Sequence, residues 1–151
     1  MMNVFPHPRA SAVTRILGEA GLPCSDLTPA HLEHFFGCGS TGAPDGIVGL
    51  ELYESVALLR SLAVGSTCRG RGCGTALVAR AEHFARSQGV REIYLLTTTA
   101  QRFFERLGYA RVQREGAPAA IQRTQEFSTL CLSESAFMVK RLPITEATCS
   151  T

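Results

Sequence analysis

Two apolar runs, Ile47 to Tyr53 and Val56 to Val64, are separated only by Glu54-Ser55 and predict a pair of strands joined by a tight turn. The second run is apolar at almost every position, as suits a strand covered on both faces. The period then changes. From Gly74 to Gln88, Leu77, Val78, Ala81, Phe84 and Ala85 share one face of a helix, Arg80, Glu82, His83, Arg86 and Ser87 form its solvated face, and Gly89 stops it. Glu92 to Leu96 reads as a strand, Thr99 to Leu107 as a helix ended by Gly108, and Tyr109 to Gln113 as a further strand. Pro118 to Phe127 is expected to be helical, and Ala136 to Leu142 to be the last strand. Upstream, Val4-Phe5 begins a short strand. Arg9 to Ala20 carries Val13, Ile16, Leu17 and Ala20 at helical spacing and stops at Gly21. Thr28-Pro29 supplies an N-cap and an N1 proline for a second helix holding Leu32, Phe35 and Phe36, ended by Gly37, with Cys38 to Gly46 as a loop. The order is α/β, with a strand-helix-strand unit at its centre. One domain over residues 1–142 is expected, with 143–151 as a frayed tail.

Composition changes this picture little. A chain of 151 residues, 45% hydrophobic and 19% charged, suits one ordinary globular core, and no apolar run is long enough to span a bilayer. The formal charge of +2, with arginines spread along the chain, gives no basic patch for nucleic acid. The N-terminal residues show no basic segment followed by an apolar one, so a cytoplasmic protein with neither a membrane nor a nucleic acid as partner is expected. Six cysteines, at 24, 38, 68, 73, 131 and 149, include no C-x-x-C and no zinc-like spacing with histidine. Reduced thiols and no metal are therefore predicted.

The candidate chemistry lies between the apolar strand and the helix. Arg69-Gly70-Arg71-Gly72-Cys73-Gly74-Thr75 opens directly into the helix, which makes an anion cradle: glycines let the backbone approach a phosphate, and loop and helix N-terminal amides point at it. The dinucleotide fingerprint G-x-G-x-x-G fails, because its third glycine would fall on Thr75 or Leu77. The mononucleotide loop fails too, since Gly70 is followed by Arg71-Gly72 where lysine and a hydroxyl are needed. What remains is R-x-x-G-x-G, Arg69 to Gly74, and with it the chain resembles the GNAT superfamily of acyl-CoA-dependent N-acetyltransferases.

That resemblance implies a mixed sheet of about six to seven strands flanked by helices, with a splayed central strand pair, and acetyl-CoA as co-substrate with its pyrophosphate on Arg69 to Thr75. It also implies a bulge in the strand before the loop, leaving backbone amides at Leu62, Ala63 and Val64 for the pantetheine arm, the Leu62 N–H polarising the thioester carbonyl. Further on, Thr97-Thr98-Thr99-Ala100-Gln101-Arg102-Phe103-Phe104-Glu105-Arg106-Leu107-Gly108-Tyr109 is similar to the family's second coenzyme motif, which adds Thr97 and Phe104 to the coenzyme set. Two departures stand out. Thr97 replaces an asparagine, and Phe104 replaces a tyrosine that often protonates the leaving thiolate; phenylalanine has no proton to give. The strand Val56 to Val64 holds no carboxylate, so Glu51 is the candidate base beside a water relay or an amine that arrives deprotonated. Arg60, on an otherwise apolar strand, needs a partner, either an anionic group of the acceptor or an ion pair with Glu51 or Glu54. Arg60 and Tyr53 are the candidates for the acceptor side.

The stretches Tyr94 to Ala100 and Ala117 to Lys140 are similar to small N-acetyltransferases encoded with bacterial arsenic-resistance genes. This second resemblance implies a bacterial origin, a role in arsenic resistance and a small amino-acid-like amine as acceptor, an arsenical among the candidates; the superfamily resemblance raises a homodimer as the assembly. An alternative from another class is a catalytically weak module that senses an acyl-CoA or, through its thiols, an arsenical.

Overall fold

The structure is a computed structural model and describes residues 3–22, 25–65, 72–124, 127 and 135–143. Its elements are β1 (Val4–Pro6), α1 (Ala10–Ala20), α2 (Pro29–Leu32), β2 (Phe35–Gly39), β3 (Pro44–Tyr53), β4 (Val56–Val64), α3 (Cys73–Ser87), β5 (Glu92–Thr97), α4 (Gln101–Arg106), β6 (Ala110–Arg111), α5 (Ala119–Gln122) and β7 (Ala136–Arg141). They form one seven-stranded mixed sheet in the order β1-β2-β3-β4-β5-β7-β6. Among the described residues, only β4 and β5 pair in parallel, joined by the α3 crossover.

The α/β order and the central strand-helix-strand unit are as the pattern predicts. The segment after Thr28 is not. Thr28 caps α2 as expected, its hydroxyl accepting from the His31 amide, but the helix ends at Leu32. Phe35 and Phe36 start β2, and the loop shrinks to residues 40–43 because β3 begins at Pro44. Helical spacing misread this segment because both phenylalanines are anchors of a strand, each buried on a different face. The glycines beside them belong to the same packing: a Cβ on Gly37 would stand 2.7 Å from Phe5 Cζ, and one on Gly49 would strike the Phe35 ring. The predicted helix over Pro118 to Phe127 contracts to α5, and the tail beyond Pro143 lies outside the described residues.

Two layers bury the sheet. On one face α3 and α4 cover Val48, Leu50, Ala57, Leu59, Ile93, Leu95 and Met138, with Leu77, Val78, Ala81, Ala85 and Phe104 as the helical contribution. On the other, α1 packs Val13, Ile16 and Leu17 against Phe35, Ile47 and Ala63, while Leu58, Tyr94, Ile121 and Phe137 form a second cluster farther along the sheet.

At the centre the sheet opens. Between Ala63↔Ile47 and Arg60↔Gly49, Ser61 and Leu62 of β4 face Val48 alone, which is a β-bulge. The pairing of β4 with β5 ends at Leu59↔Leu95, so the remainder of β4 diverges from its neighbour. Ser61 holds a left-handed φ of 63°, a conformation that costs a non-glycine residue about 1–2 kcal/mol.

Candidate functional site

The gap left by this divergence widens into a cavity of about 660 Å³, lined by Leu62, Ala63 and Val64 of β4, Gly72 to Thr75 at the start of α3, Thr99, Ala100, Phe103, Arg106 and Leu107 around α4, and Ala20 and Leu22 at the end of α1. Gly72 is the N-cap of α3 with φ 85°, a value that favours glycine, and a Cβ there would meet nothing within 4 Å. The first turn of the fifteen-residue α3 is therefore presented to the cavity with its amides available. Seven residues expected to hold the coenzyme, Leu62, Ala63, Val64, Gly72, Cys73, Gly74 and Thr75, line this one cavity. Arg69, Gly70 and Arg71, named on the same grounds, lie outside the described residues.

Two others fall elsewhere. Phe104 is 5% exposed and packs edge-on against Tyr109 in the core under α4, whereas Phe103 lines the cavity beside Gly74. Successive helical residues diverge by about 100°, so only one of the two can face the cleft, and the first-turn register of α4 gives it to Phe103. The Thr97 hydroxyl accepts from the Ala100 amide at 3.0 Å and shapes the turn into α4. Arg106 adds a cation at the cavity wall that the motif comparison did not single out.

Cys73 is not a free thiol. It forms a disulfide with Cys38 of β2, 35 residues away, with Cα atoms 6.6 Å apart. Cysteine spacing does not reveal the pair, because Cys38 reaches Cys73 only through the β2 strand, whose glycine-rich sequence carries loop rather than strand signals. Gly46 lies between them in space, where a Cβ would come within 3.0 Å of Cys73 Sγ.

Past the bulge, on the α1 side of the sheet, lies a buried polar cluster. Arg60 is 3% exposed, and its Nη1 and Nη2 donate to Asp26 Oδ2 at 2.5 Å and Oδ1 at 2.8 Å. Nη1 also donates to Glu51 Oε2 at 2.7 Å, and Nε to Ser61 Oγ at 3.1 Å. The Tyr53 hydroxyl donates to Glu51 Oε1, and His31 Nε2 approaches Glu51 Oε2 at 3.7 Å. Glu51, Tyr53 and Arg60 are thus in one network. Of the two carboxylates expected as ion-pair partners of Arg60, Glu51 is the one found, and Glu54 sits exposed in the β3–β4 turn. Asp26 was invisible in the sequence, being an isolated carboxylate in the connection before α2.

Burial alone would raise the Asp26 carboxyl, but the Arg60 hydrogen bonds and charge together outweigh it and hold the pKa below its ordinary value. Burial, reinforced by the Glu51 contact, pushes Tyr53 far above the ordinary phenol value, so it remains a proton donor to Glu51. Tyr109 is likewise raised, by burial first, and donates to Glu82 on the α3 side, remote from this cluster. Ligand atoms of Asp26, His31 and Glu51 lie within 4.8 Å of one another, but Arg60 Nη1 already bridges the two carboxylates, so a metal ion there would meet a fixed cation.

A splayed parallel pair, a bulge beside it and a helix N-terminus at the cavity wall define an α/β domain with a cleft opening at the centre of its sheet. The model of the Acetyltransferase (GNAT) family matches residues 11–109. An uncharacterized N-acetyltransferase of Chlorobaculum tepidum is 35% identical over 94 residues, covering 62% of this chain and 60% of that relative's length. N-acetylglutamate synthase from Neisseria gonorrhoeae, in complex with coenzyme A and N-acetyl-glutamate, superposes with a TM-score of 0.78 at 19% identity, over 95% of this chain and 35% of that one. The Mycobacterium tuberculosis protein Rv2747, in complex with CoA, gives 0.77 at 19% identity over 93% and 99%. The chain belongs to the GNAT acetyltransferase family.

Proposed function

We propose that this protein transfers the acetyl group of acetyl-CoA to a primary amine of a small, amino-acid-like acceptor, by direct attack in a ternary complex. The observation that carries this reading is the Ser61–Leu62 bulge where β4 parts from β5, opening on a cavity that ends at the first turn of α3. The amides from Gly72 to Thr75, with Arg69, Gly70 and Arg71 before them, hold the pyrophosphate, where the dipole and backbone N–H groups favour negative charge. The pantetheine arm runs along Val64, Ala63 and Leu62 like an added strand. The Leu62 N–H polarises the thioester carbonyl and meets the oxyanion that forms when the amine attacks. Collapse expels the coenzyme thiolate, which takes its proton from water, since Phe104 offers none.

Glu51 takes the proton lost by the acceptor ammonium, through an intervening water. The cluster around it supports this role: among the described residues, the two carboxylates Asp26 and Glu51 share the single guanidinium of Arg60, an arrangement that favours the approach of a cationic amine. Tyr53, bonded to Glu51, and Arg60, held by Asp26 and Glu51, order the acceptor side of the site. The similarity to N-acetyltransferases of arsenic-resistance genes makes an amino-acid arsenical one acceptor to test. A cytoplasmic setting and a homodimer go with the same reading, and among the described residues no helix is long and apolar enough to cross a membrane.

The experiment is release of free thiol from acetyl-CoA across a panel of amines, amino-acid arsenicals included, with coenzyme binding followed separately by calorimetry. Turnover on an amino-acid-like amine supports the proposal. Coenzyme binding with no turnover on any amine replaces it with a binding module.

A further inference from the structure

Ser61 is a buried, non-glycine residue held at a left-handed φ in mid-strand, and the network around Arg60 explains what holds it there. Arg60 Nε donates to Ser61 Oγ, while the Nη1/Nη2 end of the same guanidinium is gripped by both oxygens of Asp26. A two-point fork fixes the plane of a guanidinium, which a single contact does not. Glu51 adds one such single contact, to Nη1. With the plane fixed from the Asp26 side, Nε must face Ser61. The next peptide N–H in the chain is that of Leu62, and its direction follows from the backbone angles at the bulge.

We propose that Asp26 is a positioning residue: acting through Arg60 and Ser61, it sets the direction of the Leu62 N–H. The inference rests on the reading that this N–H meets the thioester carbonyl. It assigns a role to Asp26, which is not among the residues that line the cavity, although Leu22 in the same connection between α1 and α2 is. An oxyanion donor works through its preset aim, so a small rotation at the bulge weakens transfer while the cradle continues to bind the coenzyme.

The test follows the Leu62 amide in isotopically labelled protein by NMR, together with acetyl-transfer kinetics, in Asp26→Asn, Ser61→Ala, Ser61→Gly and the Asp26→Asn/Ser61→Gly double variant. Asp26→Asn should move the Leu62 resonance, speed its hydrogen exchange, and lower kcat by about tenfold with KM for acetyl-CoA within about twofold. Ser61→Ala, which loses the hydroxyl but keeps the strain, should do the same and carries the comparison if Asp26→Asn fails to fold. Glycine occupies the left-handed region without help. In the Ser61→Gly background, Asp26→Asn should therefore cost less than about twofold, the non-additivity expected of residues acting in one chain. A Leu62 amide unmoved by Asp26→Asn, or an equal loss of kcat in both backgrounds, overturns the proposal. Failure of the underlying reading looks different: acetyl-CoA would leave the wild-type Leu62 resonance in place, while the exchange comparison still decides whether Asp26 sets the bulge.

Discussion

Cys73, the first residue of α3, is bonded to Cys38 in β2, so the helix whose N-terminus lines the cleft is tied covalently, on its own face of the sheet, to a strand two places from β4. Both residues are almost fully buried, 1% and 0% exposed. A disulfide closing a loop of this size contributes about 2–4 kcal/mol. Dithiothreitol should then lower Tm by roughly 5–10 °C in the wild-type protein. The Cys38→Ser/Cys73→Ser variant should start lower and show no further fall. An unchanged wild-type Tm under reductant, with two additional alkylatable thiols already present without it, would contradict the bond.

Gly72 and Gly74 test the cradle. A side chain at Gly72 must adopt φ 85°, costing about 1–2 kcal/mol, and a Cβ at Gly74 comes within 3.2 Å of the Phe103 ring edge. Gly72→Glu and Gly74→Glu also bring a carboxylate to the helix end where phosphate would sit. Calorimetric binding of acetyl-CoA should disappear in both, while circular dichroism remains near native. Retained binding in two folded variants would remove the pyrophosphate assignment.

The Asp26–Arg60 pair predicts an acid dependence. The folded-state pKa of Asp26 lies below the ordinary value of 3.8, so the unfolded chain binds its proton first as pH falls. The stabilisation is complete above that ordinary value and is lost as pH drops below it toward the folded pKa. Asp26→Asn should therefore lie well below wild type in Tm at pH 7, with the gap narrowing under about pH 4. Thermal unfolding of both proteins across this range measures the difference; a gap constant with pH would mean the carboxylate charge contributes nothing.

Phe104→Tyr asks whether the family's usual acid can be restored by one atom. Phe104 packs against Phe103 and Tyr109 at 5% exposure, away from the cavity lining, so a hydroxyl there enters an apolar region at a cost of about 1–3 kcal/mol. The variant should lose Tm and gain no kcat. A rise in kcat with a changed high-pH limb would show that the side chain reaches the leaving thiolate.

Much of this architecture was legible in one dimension because its causes are local. The helix from Gly74 to Gln88, its glycine-rich approach and the strand before it are specified by apolar period and by residues that permit particular backbone angles, and these act within a few positions. Glu51, Tyr53 and Arg60 could be named because charged or phenolic groups on apolar strands must find partners. What the tertiary structure alone decided are relationships across long stretches of chain: Asp26 on Arg60, Cys38 on Cys73, and Phe35 and Phe36 as strand anchors, with Phe35 over Gly49 and Phe5 over Gly37. The last failed in sequence because i, i+3 spacing in a short apolar segment fits a helix turn as readily as two faces of a strand. The first two carry no pattern at all. An isolated aspartate in a connection and two cysteines 35 residues apart acquire their roles only when sheet pairing brings their strands and helices together.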